Sequence, residues 1–258
     1  MSTHSFGAYA RYYNLLYHDK DYTAEAAFID GLIARYACGP TKQLRLLDMG
    51  CGTGRHLLAL ADLGYTDLSG NDVSADMISI ARQDANAAKR NISYYNHSFQ
   101  EAFRIPGKFD VVTALFSAVN YIVNCKEQLQ SFGIIHSLLN PGGLFLFDYW
   151  NGHAVVRDYS PVRVLQKQQN GTEIIRISRT GLNLVQQQAT VQFTGYYMEH
   201  DRKMMAFEET HRLHYYFFAE MESLLQRTGF TILQRMGFMK PDVPVDPYDW
   251  NVCIVAQK

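Results

Sequence analysis

Several features that would point to particular functions are scarce in this chain or missing from it. Its 258 residues include four cysteines, and none has C-x-x-C spacing to another, so the sequence predicts neither a zinc site nor a disulfide framework. No apolar run approaches the length of a membrane-spanning helix, and the first residues do not resemble a signal peptide. The formal net charge is −1 without any basic tract, which disfavours a nucleic-acid partner.

These absences predict a cytoplasmic protein, monomeric or homodimeric, with no nucleic-acid partner, no membrane partner and no bound metal. What the chain does contain is a large apolar fraction, since 47% of its residues are hydrophobic. That fraction is enough for a sizeable core, and the length fits one α/β domain that carries an insertion. We therefore expect residues 1–258 to form a single domain.

Predicted strands and helices alternate over the first 150 residues. The strands fall near 44–48, 66–72, 92–97, 109–116 and 143–149, and the helices near 8–18, 22–37, 54–63, 74–89 and 126–139. A helix near 218–228 and strands near 230–237 and 250–257 complete the pattern. Such alternation is typical of an α/β fold with a doubly wound, mostly parallel sheet, here seven-stranded, in which ligands bind at the carboxyl ends of the strands.

The pattern changes between residues 152 and 216. Several short β-branched segments occur there, and Asn170-Gly171 is a strong hairpin signal, with a second turn expected at 199–202. We expect 152–216 to be an antiparallel β insertion after the fifth strand that covers the active site. Residues 1–40 are expected to form an N-terminal helical cap that also borders the site.

A glycine-rich turn follows the first predicted strand. Asp48 ends that strand, and glycines stand at positions 50, 52 and 54 before a helix begins. Glycine tolerates positive φ and lets a ligand lie against the backbone, so the turn is expected to bind a small molecule. A dinucleotide fingerprint needs a third glycine where Arg55 or Leu57 stands, and a P-loop needs Lys-Ser/Thr after its last glycine. Both alternatives are therefore excluded, and Asp48 is left to attract a cationic group.

This motif resembles the first motif of the class I S-adenosylmethionine-dependent methyltransferases, whose fold is Rossmann-like. The resemblance implies that Asp48 and the glycine turn hold the methionine portion of the cofactor. A second acid, Asp72, follows the next strand, where the family's carboxylate accepts both ribose hydroxyls. Val73 and Met77 would then contact adenine, and Ser74 is a good N-cap for the helix that carries Met77.

A finer resemblance is to the nucleotide-linked amino-sugar N,N-dimethyltransferases. It rests on residues 12–22, on the turn at 52–57 and on Phe116-Ser117-Ala118-Val119-Asn120-Tyr121. In that group a tyrosine of the first helix and a polar ring after strand four flank the amine, which implies Tyr13 and Tyr121 as catalytic residues. The chain departs from the group at Asn14, where Asp is usual, and at Tyr121, where the sugar enzymes carry His.

After strand three the family usually has an acid and a hydrophobic residue, and this chain has Ser98-Phe99. The expected cofactor is S-adenosylmethionine, with S-adenosylhomocysteine as product. The complete set of expected cofactor-binding residues is Tyr22, Asp48, Gly50, Cys51, Gly52, Asp72, Val73, Met77, Ser98, Phe99 and Phe116. The expected acceptor is a small-molecule substrate, the amine of an amino sugar.

Other interpretations stay open from the sequence alone. The acceptor could be the nitrogen or oxygen of another small metabolite, or the chain could bind the cofactor without catalysis. Arg163, Arg176 and Arg179 could meet a substrate phosphate if they line the inner face of the insertion. His211 and His214 have a spacing that resembles metal ligands, but on a strand they would point to opposite faces, so a metal site is not expected there.

Overall fold

The apolar segments of the sequence form a seven-stranded sheet. Its central strands are buried on both faces of the sheet, as is usual for parallel strands. The computed structural model describes residues 13–169, 172–198 and 204–258, and every structural statement below concerns those residues. The strands are β1 Arg45–Met49, β2 Asp67–Asn71, β3 Ile92–Tyr95, β4 Phe109–Ala114, β5 Leu139–Trp150, β10 Thr231–Gly237 and β11 Asn251–Gln257.

The strand order is β10-β11-β5-β4-β1-β2-β3. The first five strands pair in parallel, and β11 runs antiparallel to both of its neighbours. This confirms the doubly wound, mostly parallel seven-stranded sheet predicted from the alternation of elements. The carboxyl ends of β1, β2, β4 and β5 consequently meet at one edge of the sheet.

Helices cover both faces of the sheet. They are α1 Tyr22–Tyr36, α2 Arg55–Asp62, α3 Ala75–Ala87, α4 Cys125–Leu138, α5 Gly152–Asp158 and α6 Phe218–Arg227, with short 3₁₀ turns at Thr41–Gln43, Phe99–Arg104 and Ala118–Tyr121. One hydrophobic core joins α1, α2 and α3 to one face, and another joins α4 and α6 to the other. Within the described residues, no helix combines the length and apolar character needed to cross a bilayer.

The start of β5 differs from the sequence prediction. Residues 140–143, Asn-Pro-Gly-Gly, were expected to separate helix from strand, but the strand begins at Leu139. Its register against β4 passes from Phe109↔Leu139 to Val111↔Leu144, so the intervening residues form an irregularity within the strand. Proline and glycine are tolerated there because a bulge needs no continuous ladder of hydrogen bonds.

The insertion after β5 is a separate four-stranded antiparallel sheet, as predicted. Its strands are β6 Val162–Gln169, β7 Thr172–Asn183, β8 Gln188–Met198 and β9 Met204–His214, paired in sequence order. The prediction of an antiparallel β insertion over 152–216 is wrong at its start, because residues 152–158 form the helix α5. Asn151 starts this helix by accepting a hydrogen bond from the His153 N–H at 3.1 Å. The turns expected at 170–171 and 199–202 lie outside the described residues.

The N-terminal segment is described from residue 13, so residues 8–12 of the helix expected near 8–18 lie outside the described residues. Residues 13–16 are helical, and α1 agrees with the helix expected near 22–37. The Asn14 side chain connects this segment to the glycine turn, because its Oδ1 accepts a hydrogen bond from the Thr53 hydroxyl at 2.8 Å. The first helical turn is thereby fixed beside the edge where the strands end.

Candidate active site

A cavity of about 530 Å³ opens at the carboxyl edge of the parallel strands. Its walls come from the N-terminal segment, from the turns after β1, β2 and β4, and from the inner face of the inserted sheet. A cavity of this size at the edge where the strand order reverses is the usual place for a ligand in a doubly wound fold. It can hold a small molecule against the main sheet and a second one under the insertion.

The glycine turn after β1 has the conformation that its sequence predicts. Gly50, Gly52 and Gly54 all have positive φ, between +54° and +75°. At Gly54 an added Cβ would lie 2.6 Å from the Tyr94 hydroxyl, so this glycine is needed for packing. At Gly52 an added Cβ would meet nothing within 4 Å, and the residue lines the cavity. The bare backbone at Gly52 is therefore open to a ligand.

Asp72, at the end of β2, lines the cavity beside this turn. One carboxylate oxygen accepts the Gly52 N–H at 2.9 Å, and the other accepts the Ser74 N–H at 2.8 Å. Burial raises the pKa of this carboxyl above its usual range. Each carboxylate oxygen has a second lone-pair direction, so Asp72 can still accept hydrogen bonds from a pair of ligand hydroxyls.

Asp48 is buried beneath the glycine turn. The side chain is 2% exposed and is not part of the cavity lining, although the glycine turn that follows it is. Its carboxylate accepts a hydrogen bond from the Thr113 hydroxyl of β4 at 2.7 Å. Burial raises the pKa of Asp48 to about 6. Asp48 therefore lies behind the cavity wall, and its part in holding the methionine portion of the cofactor stays a prediction.

An apolar pocket lies next to Asp72. Val73, Met77 and Phe99 line it, and Val73 leaves 63% of its surface open because no protein side chain covers it. Ser98 does not line the cavity, although the residues on either side of it do. Its hydroxyl donates a hydrogen bond to Glu101 at 3.1 Å, and its contact with adenine stays a prediction.

A tyrosine-rich wall faces the glycine turn. Tyr13, Tyr17 and Tyr22 line the cavity, with the first two rings 4.7 Å apart. The Lys20 ammonium lies between the rings of Tyr22 and Phe116, 4.6 Å from each centroid. The Lys20 ammonium is thereby held by two aromatic faces at this side of the cavity.

The turn after β4 holds its residues in a strained conformation. Phe116 and Ser117 both have φ of +59°, which is uncommon for residues other than glycine. The buried Asp148 carboxylate stabilises this turn by accepting the Ser117 N–H at 3.0 Å and the Ser117 hydroxyl at 2.8 Å. Burial raises the pKa of Asp148. The strain places the Phe116 ring in the cavity wall, where it is 42% exposed.

The inserted sheet contributes its inner face to the cavity. Alternate residues of β7, from Arg176 to Leu182, line it, as the two-residue period of a strand requires. Arg163 of β6 also lines it, 5.5 Å from the Trp250 ring, whereas Arg179 does not. The cavity therefore receives two of the three arginines that the sequence singled out.

His211 of β9 was missed as a cavity residue by the sequence analysis. Its Nδ1 lies 3.1 Å from the Tyr121 hydroxyl, and both side chains line the cavity. His214 points the other way and lies 2.8 Å from the Glu220 carboxylate on α6. Across residues 13–169, 172–198 and 204–258, no group of three His, Cys, Asp or Glu side chains is placed to hold a metal ion.

Known proteins are similar to this chain in sequence and in fold. Residues 46–143 match the model of a family described as a methyltransferase domain. The dTDP-3-amino-3,6-dideoxy-alpha-D-glucopyranose N,N-dimethyltransferase of Streptomyces fradiae is 26% identical over 231 residues, 88% of this chain and 85% of that protein.

Two solved structures are similar along nearly the whole chain. An S-adenosylmethionine-dependent methyltransferase from Clostridium acetobutylicum ATCC 824 has a TM-score of 0.81 at 17% identity, covering 97% of this chain and 99% of that one. The amino pentose methyltransferase CalS10 from Micromonospora echinaspora, solved with S-adenosylmethionine bound, has a TM-score of 0.75 at 21% identity, covering 98% and 97%.

The cavity fits S-adenosylmethionine. The open backbone at Gly52 suits the close approach of the methionine portion, and the Asp72 carboxylate suits the ribose hydroxyls. The apolar pocket at Val73, Met77 and Phe99 suits the adenine ring. Residues 46–143 form a methyltransferase domain, and the cavity at the carboxyl edge of its strands fits S-adenosylmethionine as the cofactor.

Proposed function

We propose that this enzyme methylates the amine nitrogen of a small nucleotide-linked amino sugar. The main support is that Arg163 and Arg176 line the same cavity as Tyr121. Guanidinium groups recognise phosphate oxygens in a bidentate manner, and hydroxyls orient an amine. The name of the Streptomyces fradiae relative, a dimethyltransferase for a dTDP-linked amino sugar, supports the same acceptor class.

When bound, S-adenosylmethionine supplies a methyl group already activated by its sulfonium. The protein therefore mainly has to hold the amine in line with that methyl group and exclude water. Tyr13 and Tyr121, which line the cavity, are proposed to orient the amine through their hydroxyls. Burial raises the pKa of Tyr121 above its usual range, so the hydroxyl stays a neutral phenol at physiological pH.

The remaining expected cofactor contacts come from the turns that frame the cavity. Gly50 and Cys51 line the wall beside Gly52, and Tyr22 and Phe116 close the opposite side. We propose that the inserted sheet and the N-terminal segment together cover the acceptor. One domain would thus bind both substrates, since both walls contribute to the same cavity.

The test is a mass measurement after incubation with S-adenosylmethionine and one acceptor at a time. The acceptors are a dTDP-linked 3-amino sugar, a simple alkylamine and a simple phenol. The proposal expects one or two added methyl groups on the amino sugar and little product from the phenol. Methylation of the phenol in preference to both amines would assign the enzyme to O-methylation.

Matched variants test the roles of the tyrosines. Tyr13→Phe and Tyr121→Phe should lower turnover of the amino sugar while the affinity for S-adenosylmethionine, measured by calorimetry, stays close to that of the wild type. The reason is that each change removes a hydroxyl and leaves the ring in the wall. Unchanged turnover in both variants would remove the two tyrosines from the proposed mechanism.

A further inference from the structure

A buried pair on β9 lies directly behind the Tyr121 hydroxyl. His211 is 1% exposed, and its Nδ1 is 3.1 Å from that hydroxyl. The Glu209 carboxylate lies 3.4 Å from the Nε2 on the other edge of the same imidazole ring. Tyr121, His211 and Glu209 thus form a line that begins in the cavity wall and runs into the inserted sheet.

The register of the inserted sheet explains why these side chains meet. Glu209 and His211 are two residues apart on one strand, so they share the face that points to the cavity. They stand opposite Phe193 and Val191 of β8, which are not titratable. The titratable or charged groups of other elements that act on Tyr121 are Tyr17, Asp72 and Arg176.

Resting on the proposed function, we propose that His211, held by Glu209, accepts the proton that the substrate amine must lose, and that Tyr121 relays it. His211 and Glu209 act through Tyr121, so they are positioning residues, and Tyr121 is the group that touches the substrate. The chain thereby carries a dedicated proton acceptor in its insertion.

The amine needs such an acceptor because an alkylammonium group, like that of lysine, has a pKa of about 10 in water. In its protonated form it has no lone pair to attack a methyl group. Tyr121 alone does not serve as the base, because burial raises its pKa and disfavours the phenolate. A neutral imidazole has a lone pair that can accept a proton, and a carboxylate beside the ring attracts the cation that forms.

The relay requires one tautomer of His211. With the proton on Nε2, which lies 3.4 Å from the Glu209 carboxylate, the lone pair of Nδ1 can accept the Tyr121 O–H. The ammonium gives a proton to the Tyr121 oxygen while the phenolic proton passes to Nδ1. The freed lone pair forms the new N–C bond as the bond from methyl to sulfur breaks, with that electron pair left on sulfur. The proton then leaves the imidazolium to water.

A second histidine of the same strand, His214, is paired with a carboxylate of α6 and provides a matched control. His214 lies 2.8 Å from Glu220, is also buried, and faces away from the cavity. His211→Asn keeps a hydrogen-bond acceptor near Tyr121 but cannot take a proton. His214→Asn makes the same chemical change on the outer face of the sheet. It therefore shows how much activity is lost merely because a buried histidine is replaced.

The experiment measures the rate of methylation of a dTDP-linked 3-amino sugar against pH. In His211→Asn the rate should fall roughly 100-fold near neutral pH. The deficit should shrink as pH rises towards the pKa of the amine, because the amine then loses its proton unaided. Glu209→Gln should also lower the rate near neutral pH. His214→Asn should keep the wild-type dependence of rate on pH. A deficit in His211→Asn that stays constant across the pH range would overturn the relay.

A second readout needs no turnover. In ¹⁵N-histidine NMR spectra of the protein without substrates, the signal missing from His211→Asn identifies His211. The relay expects the Nε2-protonated tautomer and a shift of Nδ1 in Tyr121→Phe; an Nδ1-protonated ring contradicts it. If the wild-type protein methylates no amine, the proposed function fails, and this spectrum alone decides whether the proton path exists.

Discussion

The backbone N–H of Gly52 donates a hydrogen bond of 2.9 Å to the Asp72 carboxylate. This bond joins the turn after β1 to the end of β2, and the second oxygen of Asp72 also holds the N–H of Ser74. Asp72 therefore fixes the shape of the glycine turn in addition to facing the cavity. Removing its carboxylate should disturb both the contacts to a cofactor and the backbone that surrounds it.

The first prediction concerns the two halves of the cofactor pocket. Asp72→Ala and Phe99→Ala should each weaken S-adenosylmethionine binding in calorimetry, and the loss should be larger for Asp72→Ala because two N–H groups lose their acceptor. Asp76→Ala is the control, since Asp76 is exposed on α3 and lies outside the cavity lining. Affinity unchanged in both test variants would show that the cofactor binds elsewhere.

The second prediction separates two glycines of the same turn. Gly52→Ala and Gly54→Ala both place alanine at positive φ, which costs about 1–2 kcal/mol. Only Gly54→Ala also forces a contact with Tyr94, so it should lower the melting temperature more. Gly52→Ala should instead reduce cofactor affinity by about tenfold or more, because its methyl group enters the ligand space. A larger drop in melting temperature for Gly52→Ala, with a larger loss of cofactor affinity for Gly54→Ala, would contradict the roles given to the two glycines.

The third prediction uses the buried Asp48 carboxyl. Because its pKa is raised to about 6, the folded protein retains a proton that the unfolded chain, with an ordinary pKa of about 4, has lost between these values. Its contribution to stability therefore falls as pH rises through this window, by about 3 kcal/mol at most. Asp48→Asn should raise the melting temperature of the ligand-free protein at pH 8.

At pH 4 the same substitution should have a much smaller effect on melting, because the carboxyl is then neutral in the folded state and only about half ionised in the unfolded state. Thermal unfolding of wild type and Asp48→Asn at the two pH values checks this. A stability gain independent of pH would mean that burial does not penalise the charge of Asp48. The gain should be accompanied by weaker cofactor binding, since the negative field behind the glycine turn is lost.

The fourth prediction concerns recognition of the acceptor. Arg163→Ala should raise the KM for a dTDP-linked amino sugar by roughly 10-fold to 100-fold, because a charge-assisted contact to phosphate is lost. The KM for a simple alkylamine should not change. Arg179→Ala is the matched control, because Arg179 is on the same sheet but outside the cavity lining. Equal effects of Arg163→Ala on both acceptors would argue against a phosphate contact.

Much of this fold follows from local signals in the sequence. Short sequence motifs predict the backbone geometry at the glycine turn, at Asp72 and at Ser74. The Ser74 side chain, predicted as an N-cap, accepts the Met77 N–H at 3.3 Å. The alternation of elements fixes the parallel sheet because crossover connections need helices. These features required no knowledge of distant contacts.

The hydrogen bond of the Ser98 hydroxyl has a local signal in the sequence. Ser98 and Glu101 have the S-x-x-E spacing of a capping box, and the structure shows the Ser98 hydroxyl bonded to Glu101 at the start of a 3₁₀ turn. Asp48 is a different case. Its partner Thr113 is on another strand, and only the register of β1 against β4 brings the two together.

The position of His211 depended on a contact between distant elements. His214 is three residues away on the same strand, so the two side chains were expected to point in opposite directions. The structure shows that they do. The informative neighbour was Glu209, two residues away and therefore on the same face of the strand. That the face meets Tyr121 could not be predicted, because it depends on how the inserted sheet lies over the turn after β4.

The most direct measurement for the proposed function is transfer of a labelled methyl group to a matched pair of sugars. One is the dTDP-3-amino-3,6-dideoxy-glucopyranose named for the Streptomyces fradiae relative. The other carries a hydroxyl where the first carries its amine. We predict label on the amino sugar alone, and less of it in Tyr121→Phe. Absence of label on the amino sugar, or equal labelling of the two sugars, would contradict methylation of an amino-sugar nitrogen.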